Sequence, residues 1–264
     1  MANRAIKLVV AGCCGRMGSQ IATLAVADSL FAVAGALEAK GHPALGRDLG
    51  VLLGRPMLGV SVTDDVHAAL RAGEVLIEFT QPRATIEHVW LARQLKRAVV
   101  IGTTGLTNDD MAHLKKAAKD IPIVISPNMS VGVNLLFELA ELAARRLGTA
   151  FDVEILEAHH RAKKDAPSGT AKRLAERVAA GRGQPAVTVP VHAIRAGDIV
   201  GDHQVMFAGP AERVELVHRA HSREVFAQGA LRAARWVCRQ PPGWYDMANV
   251  LKQETEGFRR LKRA

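Results

Sequence analysis

The architecture of this chain is best indicated by the segment Ile6-Lys7-Leu8-Val9-Val10-Ala11-Gly12-Cys13-Cys14-Gly15-Arg16-Met17-Gly18. A short, mainly apolar run is followed by three glycines, each three residues after the last. Apolar residues then recur at helical spacing from Met17 to Ala25. This order predicts a strand, a tight turn and a helix. Glycines in such a turn let the backbone approach a pyrophosphate, whose charge the helix N-terminus stabilises. An ordinary tight turn is the alternative, because the spacing G-x-x-G-x-x-G departs by one residue from the usual fingerprint.

Glu38 favours a dinucleotide over a plain turn. It follows the predicted strand Phe31 to Leu37 and stands 20 residues beyond Gly18, where a carboxylate can accept both hydroxyls of the adenosine ribose. The same carboxylate would repel a 2′-phosphate, whereas Arg16 and Lys40 could supply positive charge for one. We therefore expect both NADH and NADPH to work, with NADH at least as good. Without the glycine loop, a solvated carboxylate at the end of a strand would be the better interpretation of Glu38.

The first half of the chain continues as alternating strands and helices, which is typical of β-α-β units on a parallel sheet. Further strands are predicted at Val75 to Phe79, Ala98 to Ile101 and Ile121 to Ser126. The loops Gly102-Thr103-Thr104-Gly105 and Ser126-Pro127-Asn128-Met129 follow two of them, at the edge where open α/β sheets bind ligands. We expect both loops to contact the nicotinamide side of the cofactor; isolated turns are the alternative.

The pattern changes after a long helix predicted from Val133 to Leu147. The remaining strands are predicted at Phe151 to Ala158, Val187 to Ile194, Gln204 to Phe207 and Arg213 to Ala220, and the helices near Thr170 and from Arg223 to Cys238. The predicted fold class is α/β: an N-terminal Rossmann-like dinucleotide-binding domain, and a second α+β domain for substrate and oligomerisation on an open mixed sheet. The predicted boundaries are 1–130 and 131–239, with 240–264 returning to the first domain.

Composition excludes several classes of protein. With 264 residues, 48% hydrophobic and 23% charged, the chain is globular rather than disordered. No apolar run approaches the ~18 residues that cross a bilayer, and Lys7 interrupts any signal peptide, so we expect a cytoplasmic protein and no membrane. Cys13, Cys14 and Cys238 form neither a disulfide framework nor a metal-ligand spacing, so no metal is expected.

The net charge of +9, from 35 Lys+Arg against 26 Asp+Glu, favours anionic partners. Nucleic acid is not the expected one, because the basic residues are dispersed and no aromatic-rich platform or zinc-finger spacing is present. The exception is the basic tail from Arg259 to Ala264. Short basic ends are usually solvated.

The segment richest in chemical groups is Glu157-Ala158-His159-His160-Arg161-Ala162-Lys163-Lys164-Asp165-Ala166-Pro167-Ser168-Gly169-Thr170. Ser168, Gly169 and Thr170 at a helix N-terminus can bind a carboxylate, although a plain N-cap by Ser168 is the alternative. Lys163 lies among other cations, four residues after His159, and is suited to proton donation; a solvated surface lysine is the alternative. His159 and His160 face opposite ways if the strand persists, and no ligand set for a metal is complete.

The sequence resembles the 4-hydroxy-tetrahydrodipicolinate reductases, also called dihydrodipicolinate reductases, over nearly its full length. The resemblance rests on these motifs: Val10 to Gly18, Glu78-Phe79-Thr80, Ile101 to Gly105, Asn128 to Asn134, Glu157 to Arg161 with Lys163, Asp165 to Thr170, and Arg195 to Gly201 with His203. It implies a cytoplasmic homotetramer of the diaminopimelate route to lysine. The enzyme would reduce the cyclic imine dicarboxylate formed from 4-hydroxy-tetrahydrodipicolinate, with loss of water, using NADH or NADPH.

The resemblance also assigns roles to residues. It makes His159 a proton donor or acceptor and Lys163 a proton donor. The substrate would be bound by His160, Ser168, Gly169 and Thr170. The cofactor would be contacted by Gly12, Cys13, Cys14, Gly15, Arg16, Met17, Glu38, Gly102, Thr103, Thr104, Ser126, Pro127, Asn128 and Met129. Two features depart from the family pattern: Ala39 stands where members that use NADPH well often carry arginine, and the segment from Ala180 to His192 is short. The rival hypotheses are a reductase of another cyclic imine dicarboxylate and a nicotinamide-sensing protein without turnover.

Overall fold

The computed structural model describes residues 4–252, so the basic tail from Arg259 lies outside the described residues. The chain forms two compact units. The first unit contains the described residues up to Met129 and from Phe226 onward, and the second contains Ser130–Val225. No helix within 4–252 is long and apolar enough to span a membrane.

The helices and strands follow one another in three groups. The first group is β1 (Ile6–Ala11), α1 (Arg16–Ala27), β2 (Phe31–Leu37), α2 (Leu49–Leu52), β3 (Val62–Thr63), α3 (Val66–Ala72), β4 (Val75–Glu78), α4 (Pro82–Gln94), β5 (Ala98–Ile101), α5 (Asn108–Ala117) and β6 (Pro122–Ile125). The second group is α6 (Val131–Leu147), β7 (Asp152–His159), α7 (Gly169–Arg182), β8 (Val191–Arg195), β9 (Gly201–Ala208) and β10 (Arg213–Ala220). The last group is α8 (Glu224–Val237) and β11 (Gly243–Tyr245).

The first unit is built on a seven-stranded sheet with the order β11-β6-β5-β4-β1-β2-β3. Every pair in it is parallel. Strands β4 and β5 are buried along their whole length because helices cover both faces of the sheet, and each face has its own buried cluster. The order is that of doubly wound dinucleotide-binding folds with one added strand. The predicted Rossmann-like domain is confirmed, and its loops meet at one edge of the sheet.

The second unit is built on a four-stranded sheet with the order β10-β9-β7-β8. Strand β7 is antiparallel to β9 and parallel to β8, so the predicted mixed sheet is confirmed. Helices α6 and α7 cover one of its faces, where Val153, Ile155, Val205 and Phe207 form the sheet side of the core. This buried face continues beyond the apolar residues into the polar residues of the site described below.

One prediction about the second half of the chain is wrong. The strand predicted from Val187 begins only at Val191, because residues 186–188 form a 3-10 turn between two prolines and the Val187 side chain is 91% exposed. The helix predicted from Val133 to Leu147 is confirmed as α6, although its side chains Leu135, Leu139 and Leu142 are exposed. Its buried side carries Val133, Leu136, Phe137, Ala140 and Ala144.

Helix α8 belongs to the first unit, so the second unit ends at Val225, before the predicted boundary at 239. The small residues of α8 are buried among the core of the parallel sheet. Contact with the loop after β6 is so close that a Cβ on Gly229 would lie 1.8 Å from the carbonyl oxygen of Met129. Strand β11 then pairs with β6 and extends the first sheet.

Candidate active site

The loop between β1 and α1 is shaped by glycines that cannot carry a side chain. Gly12 has a φ of +65°, and a Cβ on Gly18 would lie 2.0 Å from the carbonyl oxygen of Gly12. Gly15 precedes α1 without any side-chain cap, which leaves the N–H groups of the first turn to an external acceptor. The backbone here is therefore suited to a phosphate group at the start of the helix.

Glu38 lies beside this loop, as predicted. Its Oε1 accepts a hydrogen bond from the Cys14 backbone N–H at 2.9 Å, and its Oε2 one from the Ala39 N–H at 3.1 Å. Glu38, Gly12 and Gly15 line a cavity of about 470 Å³. Glycines without side chains, the uncapped N-terminus of α1 and a carboxylate lie together here. This combination fits the adenosine half of a dinucleotide.

One arginine lines this cavity that was not predicted from the sequence: Arg83, whose Nε forms an ion pair with Oε1 of Glu87, also in the lining, at 3.1 Å. Arg83, from the first turn of α4, lines the cavity, whereas Arg16 and Lys40 do not. Arg83 lies 45 residues beyond Glu38 in sequence and follows a different strand. Only the order of strands in the sheet, with β4 beside β1 and β1 beside β2, reveals their proximity.

Two loops of the expected nicotinamide side are fixed by buried contacts. Thr103 is buried, and its Oγ1 lies 2.8 Å from Thr85 Oγ1 of α4, while Thr104 is exposed. A Cβ on Gly102 would lie 2.2 Å from the ring of Phe79, so a larger residue there would displace this ring. Glu78 is fully buried at the end of β4. Its carboxylate forms a hydrogen bond with His88 Nδ1 at 2.7 Å and accepts one from the Thr80 N–H at 3.1 Å. These contacts hold the ends of β4 and β5 together.

The loop after β6 is held in a similar way. The Ser126 hydroxyl donates to the carbonyl oxygen of Asn128 at 2.7 Å, and Ser126 and Met129 are buried while Pro127 is exposed. Gly229 of α8 packs directly against the backbone of Met129. The structure thus brings the glycine loop, Glu38 and the loops after β4, β5 and β6 to the same edge of the parallel sheet.

The second unit holds a buried carboxylate and histidine on the same face of β7. Burial alternates along this strand, so Glu157 and His159 both point inward, toward the face that covers the core. Arg195 of β8 forms two hydrogen bonds to Glu157, at 2.9 Å from Nη1 and 2.7 Å from Nη2. The Ser168 N–H adds a third at 3.1 Å. Although burial would raise the pKa of Glu157, hydrogen bonds from Arg195, His159 and Ser168 hold this pKa below its usual value.

His159 is oriented by this carboxylate. Its Nδ1 contacts Glu157 Oε2, which assigns the proton to Nδ1 and leaves Nε2 as an acceptor in the neutral ring. Burial lowers the pKa of His159 and outweighs the opposing effect of Glu157, while Lys163 and Arg195 lower it further. Nε2 makes no hydrogen bond within residues 4–252, and a Cβ on Gly201 would come within 3.2 Å of it. His159 is therefore a neutral base with an open nitrogen.

His203 of β9 completes the cluster. It is 2% exposed, and its ring packs edge-on against His159 with centroids 5.2 Å apart. Burial, with His159 adding to it, lowers the pKa of His203 to about 3. Its Nε2 lies 3.4 Å from the Ser168 hydroxyl, and its Nδ1 has no hydrogen-bond partner in the described part of the chain. The pairing of Glu157 with His203 across β7 and β9 brings the two together, although they are 46 residues apart.

The other predicted residues of this segment lie around the start of α7. Ser168 is the N-cap, accepting the Ala171 N–H at 3.2 Å, so the plain capping role is present whether or not Ser168 also binds a ligand. Gly169 is exposed and Thr170 is buried. Lys163 forms an ion pair with Asp165 at 2.8 Å, rather than lying among cations alone. His160 lies beyond the end of β7 and is half-buried.

Comparison with known proteins covers nearly the whole chain. The family model for the N-terminus of dihydrodipicolinate reductase matches residues 6–129, and the model for its C-terminus matches residues 132–251. A 4-hydroxy-tetrahydrodipicolinate reductase of Anaeromyxobacter dehalogenans (strain 2CP-1 / ATCC BAA-258) is 48% identical over 262 residues, 93% of this chain and 97% of the relative. One from Syntrophus aciditrophicus (strain SB) is 44% identical over 271 residues, 96% of this chain and 99% of the relative.

Solved structures agree with this family. A dipicolinate-bound dihydrodipicolinate reductase from Paenisporosarcina sp. TG-14 superposes with a TM-score of 0.76 at 26% identity, covering 92% of this chain and 97% of the other. An amine dehydrogenase from Mycobacterium smegmatis superposes with a TM-score of 0.62 at 15% identity, covering 90% and 94%. The second likeness concerns the fold alone.

Proposed function

Because this chain belongs to the dihydrodipicolinate reductase family, we propose that it reduces the cyclic imine dicarboxylate formed from 4-hydroxy-tetrahydrodipicolinate, with loss of water, in the diaminopimelate route to lysine. It is an NAD(P)H-dependent oxidoreductase with a dinucleotide-binding domain. The observation that carries the proposal is the neutral His159 held by the Glu157–Arg195 pair beside the start of α7.

The substrate is a dianion, and the second unit offers it cationic and N–H partners. The N-terminus of α7 favours a carboxylate through its first amide groups and its dipole. Gly169 contributes open space there, because a Cβ at this position would meet no atom within 4 Å. Lys163 is available from the same segment, and the related protein from Paenisporosarcina sp. TG-14 is bound to dipicolinate, itself a cyclic dicarboxylate. We assign substrate binding to His160, Ser168, Gly169 and Thr170.

Proton transfer falls to His159 and Lys163. When bound, the dinucleotide supplies a hydride, and the reduced ring must then take up one proton to complete the reduction. Lys163 carries such a proton on Nζ, and an ammonium near the developing negative charge lowers the barrier. His159 Nε2 is free to accept a proton from a substrate carbon or to return it to a leaving hydroxyl. Glu157 keeps the imidazole in the required tautomer, as carboxylates do for catalytic histidines.

We propose that the cofactor is bound in the first unit and that NADH serves at least as well as NADPH. Glu38 supports NADH because its carboxylate suits the ribose hydroxyls and repels a 2′-phosphate. Arg83 in the same cavity supports a retained ability to use NADPH. We assign the cofactor contacts to residues at the edge of the parallel sheet: Gly12 to Met17, Glu38, Gly102 to Thr104 and Ser126 to Met129.

The cytoplasmic location and the homotetramer implied by the resemblance are part of the same proposal. The exposed side of α6, with Leu135, Leu139 and Leu142, supports an assembly because it leaves an apolar stripe on the surface of the second unit. Light scattering during size-exclusion chromatography measures the mass in solution. A mass of one chain would contradict the tetramer without affecting the proposed reaction.

A coupled assay tests the reaction. Pyruvate and aspartate semialdehyde are condensed by the preceding synthase, and oxidation of NADH or NADPH is followed by absorbance. We expect oxidation that requires both the synthase and this protein, at a rate with NADH no lower than with NADPH. Turnover with a different cyclic imine dicarboxylate alone would favour the rival reductase. Binding of NADH without any turnover would favour a sensing protein.

A further inference from the structure

Three metal-ligating groups lie together at the glycine loop. The Sγ atoms of Cys13 and Cys14 are 3.8 Å apart, and the possible ligand atoms of Cys13, Cys14 and Glu38 all lie within 4.8 Å of one another. Parallel pairing of β1 with β2 sets this arrangement, since Ala11 pairs with Leu37 and the Cys13 N–H donates to the Leu37 carbonyl oxygen at 3.1 Å. The chain then brings Glu38 to Cys14 by the 2.9 Å hydrogen bond from the Cys14 N–H.

The separation of the two sulfurs matches one metal ion. Zn²⁺ binds thiolate sulfur at about 2.3 Å in tetrahedral geometry, which puts two thiolates on the same ion about 3.8 Å apart. A carboxylate oxygen is an accepted third ligand, and water can occupy the fourth position. The proposed proton transfers involve His159 and Lys163 and use neither thiol.

We propose that Cys13, Cys14 and Glu38 bind a thiophilic divalent cation of the Zn²⁺ type, with two thiolates and one carboxylate as protein ligands. Binding transfers the two thiol protons to solvent and forms two metal–sulfur bonds and one metal–oxygen bond. The ion reaches the site from the side of Cys14 and Glu38, which are half-buried, while Cys13 supplies its sulfur from the buried side.

The main opposing effects are local. The N-terminus of α1 carries partial positive charge, and burial raises the pKa of the Cys13 thiol, so metal binding must overcome both. Two thiolates and a carboxylate bring three negative charges to an ion of charge +2, which favours binding strongly at short range. Thiolate ligands also select soft and borderline ions over Mg²⁺ or Ca²⁺.

A consequence follows for the cofactor, and this part rests on the proposed function. The Glu38 carboxylate is the group assigned to the ribose hydroxyls, and it cannot serve them while it is a metal ligand. The cation and the dinucleotide therefore exclude one another. In this way Zn²⁺ would act as an inhibitor that competes with NADH but not with the dicarboxylate substrate.

Binding of the metal alone tests the site. Zn²⁺ affinity is measured on the full chain by equilibrium dialysis at chelator-buffered free Zn²⁺, for wild type, Cys14→Ser, Glu38→Gln and Cys238→Ser. Losing a direct ligand should weaken binding by at least about tenfold, the lower end of the effect of losing even an outer-shell partner. Cys14→Ser and Glu38→Gln should show this loss, and the exposed Cys238 is the matched control, expected to leave the affinity unchanged.

A second measurement identifies the ligands without relying on a variant. Co²⁺ bound in place of Zn²⁺ gives a thiolate-to-metal charge-transfer absorption, which should be present in wild type and reduced in Cys14→Ser. Binding of Co²⁺ without this absorption, or equal Zn²⁺ affinity in wild type and Cys14→Ser, would overturn the site. Histidines on the surface contribute equally to both proteins and cancel in the comparison.

Competition is measured separately, from NADH fluorescence with and without Zn²⁺. We expect the apparent Kd for NADH to rise in proportion to free Zn²⁺ in wild type and to change at least tenfold less in Cys14→Ser. Simultaneous binding of NADH and Zn²⁺ would overturn the competition. If wild type fails to bind NADH even without Zn²⁺, the proposed function fails, while the dialysis result still decides the cation site.

Discussion

The candidate sites of the two units differ in whether backbone or side chains form them. In the first unit the site is shaped by backbone and by missing side chains, as at Gly12 and Gly18, where a Cβ would meet other atoms or the φ is positive. In the second unit it is built from side chains, with Glu157 receiving hydrogen bonds from Arg195 and Ser168 and contacting His159. A site made of backbone depends on one short segment of sequence, whereas a site made of side chains depends on several distant ones.

This difference also separates how the two sites tolerate substitution. Adding one methyl group damages the first, because the space is already filled by the chain itself. Removing one functional group damages the second, because a buried charge or a catalytic proton then lacks its partner.

The largest expected effect is on the chemical step in the second unit. His159→Gln and Lys163→Ala should each lower kcat by roughly a hundredfold or more, the usual scale for a lost acid or base. The coupled assay at saturating NADH measures this. Lys164→Ala is the matched control, because this neighbouring lysine is exposed, and it should retain its turnover. Near-normal kcat in both site variants would refute the assigned roles.

The next effect is on the backbone-built site. Gly18→Ala should weaken NADH binding by at least about fivefold, because overpacking costs about 1–3 kcal/mol and the added Cβ would lie 2.0 Å from the Gly12 carbonyl oxygen. Gly15→Ala is the graded comparison, since its Cβ would lie 3.1 Å from the same oxygen and the effect should be smaller. Fluorescence titration with NADH gives both values. Equal affinities for the two variants would contradict the steric argument.

The buried histidine cluster makes stability depend on pH. His203 has a pKa lowered from its ordinary 6.5 to about 3, so the unfolded chain binds a proton that the folded chain excludes. Its stabilising contribution is present above pH 6.5 and is lost as pH falls toward 3, at about 1.4 kcal/mol per pH unit. The lowered pKa values of His159 and Glu157 act in the same direction.

His203→Leu should therefore flatten the loss of stability between pH 6.5 and pH 4, measured by urea unfolding at several pH values. The exposed His67 is the control, and His67→Asn should keep the wild-type slope. An unchanged slope in His203→Leu would show that this histidine does not exclude its proton in the folded state.

The smallest effect concerns cofactor choice. Arg83 lines the cavity with Glu38, so Arg83→Ala should raise the KM for NADPH a few-fold and leave the KM for NADH within twofold, as expected for an exposed charge worth up to about 1 kcal/mol. Initial rates at varied cofactor concentration give both constants. Lys40→Ala is the control, because Lys40 does not line the cavity. A larger effect on NADPH from Lys40→Ala would reverse this assignment.

The strands predicted with the correct bounds have a local residue pattern with turn residues at both ends. The bounds of β1, β2, β5 and β10 agree with the prediction. The first three are mainly apolar runs between turn residues, and β10 begins with alternating polar and apolar residues, which is the other common strand pattern. The segment with α2, β3 and α3 gave no prediction, because these elements have only four, two and seven residues. Short elements depend on packing that a periodic pattern does not show.

Helix α6 was predicted, but the side that it buries was not. Its sequence is apolar on more than one side: Leu135, Leu139 and Leu142 are exposed, whereas Val133, Leu136 and Phe137 are buried. A helix with two apolar sides does not reveal which one meets the sheet. The same holds for α8, a predicted helix whose sequence did not show which unit buries its small residues.

The candidate site residues that were predicted come from single local segments, and those that were not come from distant ones. The glycine loop and Glu38 were predicted together because a single β-α-β unit contains them. Arg83, Arg195 and His203 were not among the predicted site residues, because strand order and register bring them to their sites from distant segments. Arg195 and His203 had been noted only as part of the resemblance to the family.

The placement of α8 and β11 has a consequence for biosynthesis. The first unit is discontinuous in sequence, and Met129 is covered by Gly229, a residue synthesised 100 positions later. On the ribosome, the edge of strand β6 that pairs with β11 remains uncovered until residues 243–245 have been translated, after the whole second unit. Because exposed edges favour aggregation of nascent chains, chains released before residue 243 should depend on chaperones more than full-length chains do.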